Sequence, residues 1–244
     1  MEQVYLVNCD QYDPQAIAAG IRTASRALGV ALPKDQAVFL HPGCPWAHPR
    51  FAPHAFTHPA VVEGAALTLS GNTFTIATNS LPGFPTRYSY REAGYIELAR
   101  RLKAGLVGVD EVPTEIVRLG ADAAVDKEAA LPRLALKTAF TIALPKLTGS
   151  TFIPFAAAIR HHQSLLQDRA QVQGHHRLSA KMVDLLAAAL PDLIVVDAIL
   201  ATHQGGELSG RSVKLGLLVV GTNMVAVDAI CAVAYGLQPM GVQY

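Results

Sequence analysis

Apolar residues along this chain gather in short continuous runs bounded by Gly, Pro or Asp. The runs predict strands at Val4–Val7, Ala37–Leu40, Phe74–Ala77, Leu106–Val109, Ile116–Leu119, Phe140–Leu144, Leu193–Asp197 and Leu215–Val220. A strand that is apolar at successive positions, not at alternate ones, suits burial on both faces of a mostly parallel sheet. Between the runs the apolar spacing becomes helical, over Pro14–Leu28, Pro59–Leu69, Arg91–Lys103, Phe152–Gln167, Leu178–Leu190 and Val225–Tyr235. Strand and helix patterns alternate, so the expected fold class is α/β: a layered, mostly parallel sheet with helices on both faces. We read residues 1–244 as a single α/β domain, divisible into lobes of about 1–135 and 136–244, and as a piece of a longer chain.

Two stretches interrupt the rhythm. His41 to Pro59 holds five prolines and four histidines and reads as an extended loop. Gln204 to Gly210 holds three glycines and reads as a tight loop after a strand. Composition narrows the class further. Half of the residues are hydrophobic and only 16% are charged, enough apolar material for a core and too little charge for disorder. A net charge of +1 provides no general drive toward nucleic acid or an anionic membrane. The N-terminus lacks the basic-then-apolar form of a signal peptide, and no apolar run reaches the ~18 residues of a membrane span. Cys9, Cys44 and Cys231 are odd in number and far apart, which suits reduced thiols in a cytoplasmic protein.

Motifs that would name a reaction are absent: the Gly-x-Gly-x-x-Gly fingerprint, a phosphate-binding P-loop and a Gly-x-Ser-x-Gly elbow. Three scattered cysteines predict no iron–sulfur cluster within the chain, since a cluster typically takes about four thiolates. Several constellations could carry chemistry. His41, His48, His54 and His58 are spaced by seven, six and four residues, which matches no established metal pattern, although neutral imidazoles could bind a divalent metal. Thr57 or His58 can cap a helix begun by Pro59. Lys146 directly follows an apolar strand, where it can meet a carboxylate or phosphate, or simply be exposed. The pairs His161–His162 and His175–His176, with Arg160, Arg169 and Arg177 nearby, could build an anion or metal face or be ordinary polar surface. Asp197 closes an apolar run ahead of Gly205 and Gly206, whose backbone amides could approach a ligand. Thr222 and Asn223 stand where a strand turns into a helix, and Asp228 lies on that otherwise apolar helix, where a carboxylate is costly unless paired. Both aspartates could equally serve as caps and loop tethers.

These pieces, in order, resemble the domain-of-unknown-function family 362. The resemblance rests on Leu144-Pro145-Lys146-Leu147, Val195-Val196-Asp197-Ala198-Ile199, the Gly205–Gly206 to Gly210 loop, Val225-Ala226-Val227-Asp228-Ala229, Thr57-His58-Pro59 and Gly94-Tyr95. It implies an α/β core, and it implies no particular reaction. Where the family typically has Lys-x-Lys-Thr-His, this chain has Lys146-Leu147-Thr148-Gly149-Ser150, one lysine and the histidine short. Family members often carry a ferredoxin-like module, so the resemblance also implies that an electron-carrying role would need a separate ferredoxin-like partner. The expected function is that of a small-molecule enzyme acting on an anionic substrate by deprotonation, isomerisation or elimination. Lys146 would hold the anion, Asp197 and Asp228 would supply acid–base chemistry or metal ligands, and His58 would transfer protons at the rim. Gly205, Gly206, Thr222 and Asn223 would contact substrate. A redox accessory or metal-binding protein and a non-catalytic binding module are the alternatives, and a homodimer is compatible with each.

Overall fold

The computed structural model describes residues 2–167, 176–206 and 208–242. In chain order the elements are β1 (Val4–Asn8), α1 (Pro14–Ala27), β2 (Ala37–Pro42), α2 (Pro59–Thr68), β3 (Thr73–Thr78), α3 (Thr86–Glu92), α4 (Tyr95–Leu102), β4 (Gly105–Gly108) and β5 (Thr114–Arg118). They continue with β6 (Glu128–Pro132), α5 (Arg133–Lys137), β7 (Phe140–Leu144), α6 (Ala158–His162), α7 (Leu178–Leu185), β8 (Leu193–His203), β9 (Arg211–Gly221) and α8 (Met224–Ala234). Seven strands form one sheet in the order β1-β9-β8-β7-β2-β3-β4, so strands from both ends of the chain share it. β8, β7, β2, β3 and β4 are paired in parallel, and β9 runs antiparallel to both β8 and β1. The protein is therefore α/β with a mostly parallel sheet.

The continuous apolar runs are explained by where alternate residues go. Successive strand residues point to opposite faces. Ile142, Leu144 and Val195 join a core with Ile17 and Ile21 of α1 and Val61 and Val62 of α2. Ala143, Ile194 and Val196 join a second core with Ile159 of α6, Met182 of α7 and Val227 and Cys231 of α8. Helices thus cover both faces, and a strand between them is buried on both of its sides. Each fully buried Ile or Val contributes roughly 1.5–3 kcal/mol. α1 and α2 approach closely at Gly64, where an added Cβ would lie 2.4 Å from Ile17 Cγ2.

Four expectations needed correction. The helix expected over Arg91–Lys103 is two helices, α3 and α4, parted by Gly94 at φ 79°, a left-handed conformation that interrupts the hydrogen-bond ladder. The helix expected from Phe152 begins only at Ala158, because Pro154 and an antiparallel bridge between Thr148 and Ala156 keep the preceding segment out of helix. The loop expected to begin at His41 begins later, since His41 and Pro42 are the last residues of β2. Asp197 does not end its strand: β8 runs on to His203 as one arm of a hairpin with β9, and the loop of Gly205 and Gly206 is its turn. No described helix is long and apolar enough to cross a membrane.

α7 is fastened to the loop before β6 by Asp184, whose carboxylate accepts from the N–H groups of Ala124 (2.6 Å), Val125 (2.8 Å) and Asp126 (2.9 Å). Burial by itself would raise this carboxyl's pKa; the three N–H donors and nearby Lys127 outweigh it and hold it below the usual value. A depressed pKa means that its stabilisation is present above the ordinary carboxylate range and is lost as pH falls through the folded value. Asp184→Asn is expected to lower stability by about 1–3 kcal/mol at neutral pH. Urea unfolding should show the gap to the parent protein closing in acid; a gap independent of pH would contradict this account.

Candidate functional site

Parallel strands bring their carboxyl ends to one edge of the sheet, and ligands bind there in open α/β folds. At this edge Gly43 and Cys44 follow β2, Asn79 and Ser80 follow β3, and Lys146 and Thr148 follow β7. With Arg160, His161 and Ser164 from α6 and the turn after it, they line a cleft of about 570 Å³, open mouth included. The floor is thin at Gly43. Its N–H is committed to Leu144 O (2.9 Å) and Thr57 Oγ1 (3.1 Å). A Cβ there would stand 3.2 Å from the Lys146 backbone nitrogen and 3.6 Å from His161 Nδ1. The glycine therefore leaves space that any other residue would fill.

Behind the cleft wall lies a desolvated ion pair. Lys146 Nζ is 2.8 Å from Asp197 Oδ2, with side-chain exposures of 2% and 0%. Two ions removed from water at that cost persist only when their remaining hydrogen-bonding capacity is met. Asp197 also accepts from Tyr12 OH (3.1 Å), His58 N (3.0 Å) and Ile199 N (3.2 Å). Lys146 Nζ donates to Tyr12 OH at 2.9 Å, and Leu200 N donates to the same oxygen at 3.2 Å. The backbone registers the pair: Asp197 N donates to Pro145 O and Leu147 N to Asp197 O, so β7–β8 pairing continues one step past the end of β7. Burial lowers the Lys146 pKa against the opposing pull of Asp197. Burial, then the Asp197 charge, raises that of Tyr12.

His58 belongs to the outer side of this network. Its ring stacks on Tyr12 with centroids 3.9 Å apart, and its Nδ1 caps α2 by accepting from Ala60 N at 3.1 Å. Nδ1 is thus an acceptor, and burial lowers the ring's pKa in spite of Asp197. His58 is not among the residues that line the cleft. Asp228 is buried on α8, where Oδ1 accepts from Ala158 N (2.7 Å) and Oδ2 from Ile159 N (3.1 Å). It fastens the start of α6, the helix that carries Arg160 and His161. The structure therefore brings Lys146 and Asp197 together and places His58 behind them and Asp228 under the opposite wall.

The remaining expected residues lie apart from this cleft. The expectation that Thr222 and Asn223 contact substrate is not met: they follow β9, whose end pairs antiparallel with the start of β8, so they stand at the opposite edge of the sheet. Gly205 is at φ 102° in the β8–β9 turn, and its carbonyl oxygen packs where a Cβ on Gly149 would be. Gly206 O accepts from Gly210 N at 2.7 Å, closing that turn. Asn223 caps α8 by accepting from Ala226 N at 3.0 Å, and Thr222 beside it is exposed. His48 bonds to Phe51 N, and His54 Nδ1 lies 2.6 Å from Ser212 Oγ. His175 and Arg169 lie outside the described residues. Among the described residues no group of three or more His, Cys, Asp or Glu side chains is placed to hold a metal ion. The three cysteines are buried thiols. Tyr12, Gly43 and Ser164 carry no signal in the sequence; each gains meaning only from what folds against it.

His161 lines the cleft, and buried His41 packs behind it. His161 Nε2 lies 3.0 Å from His41 O, and their rings are 4.1 Å apart. Ser164 Oγ is 2.7 Å from His161 O and 2.8 Å from His41 Nε2. A hydroxyl has one proton and a carbonyl can only accept. Ser164 therefore donates to His161 O, and His41 Nε2–H donates to Ser164. That direction of bonding leaves the serine without a base, so the pair is not an activated nucleophile. Burial holds His41 and His162 neutral and pushes His161 down to about 3.

Among solved structures, the lactate racemase apoprotein from Thermoanaerobacterium thermosaccharolyticum is similar to this chain at 13% identity and a TM-score of 0.46. The match covers 92% of this chain and 55% of that one, so the chain spans about half the length of that protein. At that distance the likeness says nothing about activity. No curated protein matches the chain. The family model described as domain of unknown function (DUF362) matches residues 38–233, which hold Gly43, His58, Lys146, His161, Asp197 and Asp228. The chain belongs to that family.

Proposed function

We propose that the cleft binds a small anionic molecule and that the protein is an enzyme moving a proton on it, by deprotonation, isomerisation or elimination. One observation carries the reading: among the described residues, those lining the cleft include Lys146 and Arg160 and no aspartate or glutamate. A low-dielectric cleft of one charge sign concentrates ligands of the other. Lys146 is largely neutralised by Asp197 behind it, so its contribution is a fixed, oriented N–H donor. Arg160 supplies the second cationic group, its Nη1 braced on Gln163 Oε1 at 2.6 Å. The neutral imidazole of His161 supplies the group that can take a proton. Asp197 and Tyr12 hold Lys146 in place, and Asp228 holds the helix of Arg160 and His161.

Acetate is expected to raise the melting temperature and acetamide, its neutral counterpart, to leave it unchanged. Arg160→Gln should weaken acetate binding about tenfold or more, the worth of one hydrogen bond to a charged group. An equal response to acetate and acetamide, or acetate binding untouched by Arg160→Gln, would sink the proposal. Lys146 has a structural share that can be separated from its binding role. Lys146→Met strands Asp197 as a buried charge and should cost about 3–5 kcal/mol in denaturant unfolding. Adding Asp197→Leu should recover much of that stability without restoring acetate binding. Asp228→Asn replaces one acceptor by a donor facing an N–H, so a loss of about 1–3 kcal/mol is expected, with weaker acetate binding in the protein that remains folded. Undiminished binding there would detach Asp228 from the site.

A further inference from the structure

We infer that the cleft takes up its anion together with a proton, and that the proton is carried on Nδ1 of His161. The inference rests on the reading of the cleft as an anion site. Its geometric basis is the tautomer of His161. The carbonyl of His41 can only accept, so Nε2 of His161 carries the hydrogen. In the neutral ring the lone pair is then on Nδ1, and Nδ1 lies 3.6 Å from where a Cβ on Gly43 would stand, beside the gap that the glycine leaves.

The other titratable groups described around His161 do not compete for that proton. His41, packed on it from β2, is buried, bonds to Ser164 through Nε2 and does not line the cleft. His162, its neighbour on α6, turns away and bonds through Nε2 to Ala188 O at 2.9 Å. Lys146, across the floor from β7, is paired with Asp197, and Arg160 keeps its proton at all working pH. Cys44 lines the cleft, but burial pushes its thiol up, away from ionisation. Among the described residues that line the cleft, His161 is left as the one ring that is neutral, partly buried and offers a lone pair.

Without a ligand, burial and the charge of Arg160 oppose protonation of His161. An anion entering the cleft reverses the balance, because an opposite charge within a few ångströms favours the imidazolium. The step moves one anion and one proton from solvent into the cleft and forms an imidazolium–anion pair. No other bond is made or broken. The proton so stored is available to the bound molecule, which is the acid half of the proposed chemistry.

The sign of the linkage follows. Between the ligand-free and ligand-bound pKa of His161, acetate affinity should fall about tenfold for each unit rise in pH, and it should level off above the bound value. Calorimetric titration of the whole chain with acetate at about pH 6, in two buffers of different ionisation enthalpy, reads proton uptake directly. Uptake near one proton per acetate is expected, falling to near zero in His161→Asn. On acetate addition the ¹⁵N signals of His161 should change from a neutral Nε2–H ring to an imidazolium. Acetate binding without proton uptake overturns the inference and leaves the anion site standing. Uptake that persists in His161→Asn also overturns it. Failure of acetate to bind at all removes the anion site first, and the inference with it. If His161→Asn does not fold, proton uptake and the ¹⁵N signals of the parent protein decide alone.

Discussion

A carboxylate and an ammonium 2.8 Å apart with almost no exposure to water are the constraint around which this molecule is arranged. Their mutual attraction does not by itself offset the loss of hydration, which amounts to several kcal/mol per ion. What closes the difference is the set of neighbours. Tyr12 comes from the approach to α1, His58 N from the cap of α2, Ile199 N from β8 itself. Four parts of the chain must be in place before Asp197 is satisfied, so the pair specifies how α1 and α2 dock on the sheet. The same requirement holds Lys146 rigidly at the cleft wall, which a binding site needs more than it needs charge.

The opposite wall follows the same logic with a different partner. Asp228 is as buried as Asp197, and the backbone N–H groups of Ala158 and Ile159 donate to it. The short helix α6 lacks a side-chain cap of its own, and the carboxylate from α8 supplies one from outside. Arg160, His161 and Ser164 are thereby fixed to the second core, while Lys146 is fixed to Tyr12 and α2. The cleft is the seam between these two tethers. His161 stays neutral because burial opposes the charged ring and Arg160 beside it is positive. A neutral imidazole beside an arginine and a lysine can receive a proton when an anion arrives and has little reason to hold one before.

The sheet was legible because burial on both faces leaves no room for alternation. Phe140–Leu144 is buried at every position, and it read as a strand from its composition alone. β6, by contrast, pairs only with β5 in a small two-stranded sheet and has exposed positions, so Glu128–Pro132 carried no such signature. The break between α3 and α4 depends on Gly94 turning left-handed, a conformation glycine permits anywhere but adopts only where packing asks for it. The length of β8 was hidden for a similar reason. Its outer half is held by the antiparallel hairpin with β9, and a hairpin arm reads like any other apolar run until its partner is known.

For the site, the linear chain by itself determined that Lys146 follows a buried strand, that Asp197 and Asp228 sit in apolar surroundings, and that neither carboxylate could stay there alone. Those statements are local: desolvation of a charge is dictated by the residues on either side. Which partner each would find was decided only by the tertiary structure. Tyr12 lies 185 residues from Asp197, and nothing near it in sequence marks it as the third member of an ion pair. Adjacent histidines on a helix point about 100° apart, so one of His161 and His162 had to face away from any single cleft. The docking of α6 against β2 is what turned His161 toward it and gave its Nε2–H to the His41 carbonyl, leaving Nδ1 beside Gly43.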